Sequence, residues 1–578
     1  MLIRLNDHMK NSNTKINIIN YSIIFFWIIF YFFDLLNSGF FGDDSWNSQI
    51  RGNLIEENIS LLQRIDNEWK GWLFNNGSIR IAYYFIIYPL FYYVENIIYY
   101  KLITIGFLFF SCLFFYILIT EITNDKKKSL AVTMLLPIFF QFRDWNDPIL
   151  GFPSFMMPFT LTIILISIIF FIKYLRTNNS KYNFYSVLIF LINPIMYEIS
   201  IPFLAIYPLI AKIKFNDTYK CICIAKYHLA LLFIILFFIL FINKIYIPLI
   251  LNGEIAYGAV QFHFSSLTKL FQAFIIQISA SIPSLYFWTN FDELNKISVS
   301  IIDLLIVFSF GLIFVKNLFY KKNLKIKNNN NIIRNLGLFF LLVPAFLAAL
   351  SGHQGDIRYL GIGNGYIPVY IQYFGAAFLV AYTLNFKYNN KLKFLFSYLS
   401  FFIFLILSIL NLNSNKNILE NLNQKYFYPS KIVNTSIRAG LFNDLKENDV
   451  IIREMKIPAD YSRNYISQSK KLLYTCDYIA NNKFPIDISC IKRKKDNNVI
   501  WGMKYFYTTD FSKTYVVLFK INVSHGVNLS TNYLKLYEYH SNQISNFKMK
   551  NNINVRKIFE SSTNKPNHIL NLINENKL

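Results

Sequence analysis

The chain has 578 residues, of which 54% are hydrophobic and 19% aromatic, while only 16% are charged. A soluble globular protein carries about 25% charged residues and spreads its apolar ones over short periodic stretches; here they run in long blocks, which excludes a soluble enzyme, a disordered chain and a disulfide scaffold. Lys and Arg number 57 against 33 Asp and Glu, a net charge of +24, and in a membrane protein that excess marks cytoplasmic loops and contact with anionic lipids rather than nucleic acid.

In chain order, the first apolar block covers 18–33 and leads into Asp34-Leu-Leu-Asn-Ser-Gly. A signal peptide has a shorter apolar core and a small-residue cleavage site, so the block reads as a retained first transmembrane helix. Further blocks at 97–119, 129–142, 151–172, 184–211, 227–250, 299–315, 335–350, 366–386 and 393–412 predict about ten to twelve spans. The 184–211 block holds Pro194, Glu198, Pro202 and Pro208. It therefore reads as two half-helices meeting near Glu198, a break tolerated at membrane depth only where protein or a wet cavity covers the freed backbone.

Basic loops set the orientation. Lys126-Lys127-Lys128, 173–181, 212–226, 316–334 and 387–393 go to the cytoplasm by the positive-inside rule. Residues 37–96, 143–150, the region around Glu198, 251–298 and 351–365 then face the exterior, as does the tail 413–578, in keeping with a bacterial inner membrane. The tail has no apolar block. Its alternating runs at 514–523 and 533–539 predict strands, and 467–480 predicts a short amphipathic helix, together a small soluble α+β domain appended to the membrane domain 1–412. Cys476 and Cys490 are the tail's two cysteines; an oxidising exterior favours a bridge between them, the alternative being two unrelated thiols.

The exterior side collects the ionisable groups. Phe40-Phe-Gly-Asp-Asp-Ser-Trp46 places Asp43 beside Asp44, and neighbouring carboxylates raise one pKa, which suits proton acceptance from a hydroxyl or the holding of a cation. The same pair also fits a plain turn. The loop that follows carries Trp46, Trp69, Trp72, Arg51, Arg64 and Arg80, aromatics that favour headgroup level. Arg143-Asp-Trp-Asn-Asp-Pro148 brings Asp144 and Asp147 and reads more as a solvated turn than as a site. Glu198, an ionisable group in a spanning block, is a functional candidate by default. The stretch Ser351-Gly-His-Gln-Gly-Asp-Ile-Arg-Tyr359 offers His353, Asp356, Arg358 and Tyr359 on a glycine-rich backbone; Arg358 suits phosphate oxygens, or else pairs with Asp356 in an ordinary turn. No Walker A loop, HExxH or clustered Cys/His pattern is present, which disfavours ATP-driven transport and zinc proteolysis.

An acidic pair in Gly42-Asp-Asp-Ser45 opening a long loop after the first helix, interface helices, further spans and a soluble C-terminal domain: this arrangement resembles the GT-C glycosyltransferase superfamily. The resemblance covers about 18–412, with the tail matching only as an appended domain, and it carries short motifs. It implies transfer of a sugar from a polyprenyl-phosphate carrier to a glycan or lipid acceptor outside the membrane, with inversion. Asp43 matches the acidic position that serves as catalytic base, Asp44 is the second acid, and Arg358, with His353 beside it, resembles the basic group that holds the carrier phosphate. Tyr359, Glu198, Arg80 and Asp144 are further candidates for substrate binding. A divalent cation, Mg or Mn, bridging carboxylates and phosphate stays open. Rival readings are a polymerase or ligase of lipid-linked glycans, and a non-enzymatic transporter or assembly protein.

Overall fold

The computed structural model describes residues 2–48, 50, 54, 58–94, 96–144, 146–215, 217–250, 266–319, 330–352, 354–384 and 390–423, and in the C-terminal region residues 450–454, 474–478, 500–507, 513–524, 528–540 and 554–561. The chain divides into two compact units, one of residues 1–36, 65–87 and 96–419, the other of residues 37–64, 88–95 and 420–578.

In the first unit the principal helices are α1 (Leu2–Phe32), α2 (Ile97–Thr123), α3 (Met156–Thr177), α4 (Ser180–Phe190), α5 (Ile206–Phe215), α6 (Thr218–Phe241), α7 (Leu267–Ser279), α8 (Ile301–Leu318), α9 (Asn330–Leu350), α10 (Val369–Thr383) and α11 (Asn390–Leu422). Among the described residues, 7 helices are long and apolar enough to cross a membrane, built on α1, α2, α3, α6, α8, α9 and α11. That makes the chain compatible with a multi-pass membrane protein. The count is lower than the predicted ten to twelve because several apolar blocks do not fold as one helix. Block 129–142 becomes a helix over Lys126–Met134, a short one over Leu136–Phe139 containing Pro137, and non-helical backbone from Phe140. Block 366–386 yields α10, whose 15 residues span about 22 Å against a hydrocarbon core of about 30 Å. Block 184–211 divides into α4, a turn of helix over Ile192–Met196, a 3-10 segment over Glu198–Ala205 and α5, so the chain does break at Glu198.

Side-chain caps set several helix starts: Asn96 accepts from the Ile98 N–H ahead of α2, Asp217 from the Lys220 N–H ahead of α6, and Ser300 with Asp303 forms a capping box on α8. The C-terminal ends of α2, α3 and α5 meet the start of α6 at one end of the bundle, where Arg176 Nη1 lies 2.5 Å from Glu121 Oε2 and Lys214 Nζ donates to the Leu175 carbonyl. From there α6 runs 24 residues, about 36 Å at 1.5 Å per residue, to the other end, where Asn243 donates to the Gly77 carbonyl at 3.3 Å. Aromatic side chains fill the interior between: Trp27 is 1% exposed and gives its indole N–H to the Met134 carbonyl at 2.9 Å. Helices α9 and α10 touch through Gly375, where an added Cβ would sit 2.5 Å from the Leu341 nitrogen; small residues permit such close packing in membranes.

Helix α11 continues past 412 and uses that extra length. Asn411 donates to the Pro137 and Phe140 carbonyls at 3.0 and 3.2 Å, while Asn415 donates to Phe140 O at 2.9 Å and accepts from Phe142 N–H at 2.7 Å. Asn413 and Asn417 instead serve the segment Leu294–Ser298: Asn413 accepts from Ser298 N–H at 2.8 Å and Asn417 donates to Leu294 O at 2.9 Å. Helical residues four apart share a face and residues two apart do not, so alternate asparagines hold a non-helical strip on each side of one helix.

In the second unit, Gly39 N–H donates to Asn423 Oδ1 at 3.2 Å, and the Phe40 and Phe91 rings pack at 5.5 Å. Its C-terminal residues include strands β1 (Val450–Glu454), β2 (Tyr474–Tyr478), β3 (Ile500–Tyr507), β4 (Lys513–Ser524), β5 (Asn528–His540) and β6 (Asn554–Ser561), in the order β2-β1-β3-β4-β5-β6. Strand β1 pairs in parallel with β2 and β3, and the other pairings are antiparallel. The helix predicted over 467–480 is thereby corrected: Tyr474–Tyr478 is extended and in register with Val450–Glu454. Cys476 lies on β2, but Cys490 and the bridge to it fall outside the described residues.

Candidate functional site

The first unit brings two sequence-predicted residues together. Helix Leu61–Asn76 ends at Gly77, which takes a left-handed φ of +66°, and the Ser78 N–H returns to the Trp72 carbonyl at 3.0 Å. A Cβ on Gly77 would fall 1.6 Å from Asn243 Oδ1; both the φ and the close approach require glycine here. The turn delivers Ser78, Ile79 and Arg80 to Glu198 at the start of its 3-10 segment. Glu198 Oε1 accepts from the Ser78 hydroxyl and, at 3.0 Å, from the Ile79 N–H, while Oε2 accepts from Arg80 Nε at 2.8 Å. The Arg80 guanidinium also lies over two rings, 5.2 Å from the centre of Trp72 and 4.7 Å from that of Tyr197.

Both side chains of this ion pair are mostly covered, at 17% and 18% exposure. Burial alone would lower the Arg80 pKa, yet Glu198 and the phenols of Tyr197 and Tyr84 hold it above the ordinary arginine range, so the group stays cationic. Among the described residues no partner meets Nη1 or Nη2, and neither nitrogen is buried. The result is a guanidinium fixed on its Nε side and over two rings, with its outer edge open. Such an edge offers two N–H groups to an oxyanion.

Next along this end, the motif at 143–148, which by sequence predicts a solvated turn, buries its Arg143 and Asp147 instead. Arg143 is 2% exposed and Asp147 5%. Arg143 Nη2 donates to the Ala280 carbonyl at 2.9 Å and the Tyr373 hydroxyl at 2.8 Å. Asp147 accepts from the backbone N–H groups of Arg143, Ile149 and Leu150 at 2.7–2.8 Å. Burial pushes the Asp147 carboxyl up to about 6, against the opposing pull of Arg143 and those three N–H groups. Asp144 is exposed, and its N–H donates to the Tyr286 hydroxyl at 3.4 Å. The same loop continues to Phe152, whose ring meets Tyr197 at 5.3 Å, so it runs from Arg143 to the aromatic wall of the Arg80 pair. An Arg and an Asp four residues apart before Pro148 were the available signal.

Arg358 and Tyr359 sit on a helix over Gln354–Leu360 rather than in a glycine loop. The helix buries Ile357 against Ala273, Ala348 and Ala349, leaving Arg358 half-buried and Tyr359 92% exposed. The glycines act after it: Gly363 donates its N–H to Ser279 Oγ at 2.9 Å. His353 and the Asp356 side chain lie outside the described residues. Among the described residues, neither Arg80 nor Glu198 pairs with Arg358, Tyr359 or Asp144. Asp43 and Asp44 belong to the second unit, on a short helix over Gly42–Asn47. They differ sharply: Asp44 is fully buried and Asp43 exposed.

Among the described residues no three His, Cys, Asp or Glu side chains gather as a metal-binding group. No protein-family model matches the chain, and none of the curated proteins compared with it is similar in sequence.

Proposed function

We propose that the protein is a multi-pass membrane glycosyltransferase that moves a sugar from a polyprenyl-phosphate carrier to a glycan or lipid acceptor on the exterior side. The observation that carries this reading is the Arg80–Glu198 pair: a guanidinium with an open oxyanion-binding edge and aromatic flanks, at the opposite end of α6 from the basic residues Lys214 and Lys220. Seven membrane-length helices and the exposed Asp43 after the first of them support it. In this reading the positive-inside rule puts Arg80 outside, where lipid-linked sugars rather than nucleotide sugars are at hand, and the tail is an exterior soluble domain.

The acceptor oxygen attacks the anomeric carbon as a carboxylate base takes its proton, the part that the sequence resemblance gives to Asp43. The carbon–oxygen bond to the carrier phosphate breaks on the opposite face, giving inversion, and the phosphate departs ionised without a general acid. Arg80 is assigned the phosphate charge, an electrostatic stabilisation that grows as the bond breaks; Glu198 positions it. Arg358, half-buried on its own helix, is the second candidate for that role.

Membranes containing the full chain, supplied with a radiolabelled polyprenyl-phosphate sugar and cell-envelope acceptor, test the reading. Asp43→Asn is expected to lower transfer by at least about a hundredfold, and Arg80→Met to raise the KM for the carrier. Transfer at the wild-type rate in Asp43→Asn at normal protein level would refute it in favour of a non-enzymatic transport or assembly role.

A further inference from the structure

The other end of the bundle carries a cluster that sugar transfer does not use. Arg176 on α3, Lys214 on α5 and Lys220 in the first turn of α6 converge there. The ammonium groups of Lys214 and Lys220 both lie over the Phe215 ring, 5.0 and 4.6 Å from its centre. Lys214 anchors to the Leu175 carbonyl at the end of α3. Two carboxylates are nearby and both are engaged: Glu121 pairs with Arg176, and Asp217 accepts the Lys220 N–H as the cap of α6. Three cations against two acids leave an excess of positive charge, in which Lys220 also sits at the positive end of a helix dipole that disfavours it. The crowding is felt at Lys214, whose pKa burial, Arg176 and Lys220 together pull below the ordinary lysine value.

We propose that Lys214 and Lys220, gathered about Phe215, bind the phosphate headgroup of an anionic glycerophospholipid. A phosphate there relieves the repulsion between the two ammonium groups. The occupant is a lipid because of what adjoins the site: α6 turns a largely uncovered apolar surface outward, with Tyr219 78% and Ile222 49% exposed, so acyl chains lie beside the helix whose first turn meets the headgroup. Basic pockets between span ends on the cytoplasmic side are sites for such headgroups. The proposal rests on the membrane reading of α6, not on sugar transfer.

Full-length protein in nanodiscs of mixed phosphatidylglycerol and phosphatidylcholine, analysed by native mass spectrometry, provides the test. Wild type is expected to retain phosphatidylglycerol preferentially, and the Lys214→Gln/Lys220→Gln double variant to lose that preference by about fivefold per lysine removed. Lys214→Arg/Lys220→Arg is expected to keep it, which separates loss of charge from loss of fold. Equal retention in wild type and the Gln variant, equal retention of both lipids by wild type, or thermal stabilisation by inorganic phosphate matching that by the lipid would each overturn the site. Recovery of the chain in the aqueous phase, without detergent, would instead overturn the membrane reading beneath it.

Discussion

Replacing Glu198 by Ala tests how the Arg80 site is held. The substitution removes the acceptor of the Ser78 hydroxyl, of the Ile79 N–H at 3.0 Å and of Arg80 Nε at 2.8 Å. Breaking a fully buried pair by deleting one partner costs about 3–5 kcal/mol. Here the two side chains keep 17% and 18% of their exposure, so water replaces part of what is lost, and a hydrogen bond to a charged group contributes about 1.5–3 kcal/mol. The expected loss for Glu198→Ala is therefore about 2–3 kcal/mol. Glu198→Gln keeps an oxygen for Ser78 and Ile79 but presents an amide to Arg80 Nε, for an expected loss of about 1–2 kcal/mol.

A double-mutant cycle isolates the pair. Thermal unfolding of the detergent-solubilised full chain is measured for Arg80→Met, Glu198→Gln and both together, at low and high salt. The two residues are expected to couple by at least about 1 kcal/mol, since both act through one bond. Only a small part of that is expected to fade with salt, because screening acts weakly on covered charges. Coupling below about 0.5 kcal/mol, the limit for independent sites, would refute the reasoning that Glu198 fixes the guanidinium.

Gly77→Ala is expected to destabilise by more than about 1 kcal/mol, through its positive φ and the collision with Asn243; Gly77→Ala/Asn243→Ala should recover the collision part but not the backbone part, as read by the same unfolding assay. Asp147 gives a pH dependence with a definite sign. Its folded pKa of about 6 lies above the ordinary 3.8, so the folded state binds more protons between those values. The Asp147 contribution to stability is present below about pH 4 and falls as pH rises through 6, by up to about 3 kcal/mol. Unfolding of wild type and Asp147→Asn across pH 4–7 should show the downward slope only in wild type. Asn415→Ala strands the Phe142 N–H and leaves the Phe140 carbonyl with Asn411 alone, an expected loss of about 1–3 kcal/mol, whereas Asn415→Asp, which keeps only the acceptor, should fall between Ala and wild type.

Much of the helical plan is legible because runs of apolar residues have one economical use in a membrane. What run length hides is where a run stops being helix. Pro137 and the prolines around Glu198 divide two blocks into pieces shorter than a span, which is why the count falls. Glu198 stands out in the sequence because a carboxylate is costly inside an apolar block. Its partner does not, since Arg80 lies 118 residues earlier and no periodicity links them. Arg143 reads as exposed in Arg143-Asp-Trp-Asn-Asp147 because the groups that bury it, Ala280 and Tyr373, are 137 and 230 residues away.

The alternate asparagines at 411–417 carry the same lesson further. In the sequence they merge with an asparagine-rich tail, yet each bridges backbone that no helix satisfies. Non-helical backbone covered by protein survives only if its N–H and C=O groups find partners there, and a side-chain amide, with two donors and an acceptor, serves both kinds. Helix α11 thus allows the chain to keep irregular segments at 140–142 and 295–298. The first of these leads straight into Arg143 and on to Phe152 against Tyr197. Irregular backbone is what lets residues distant in sequence turn their polar side chains toward one another, as a run of straight helices would not. The amides of α11 are in this sense a condition for the polar end of the bundle, and Asn415→Ala should disturb the Arg143 turn before it disturbs the helices themselves.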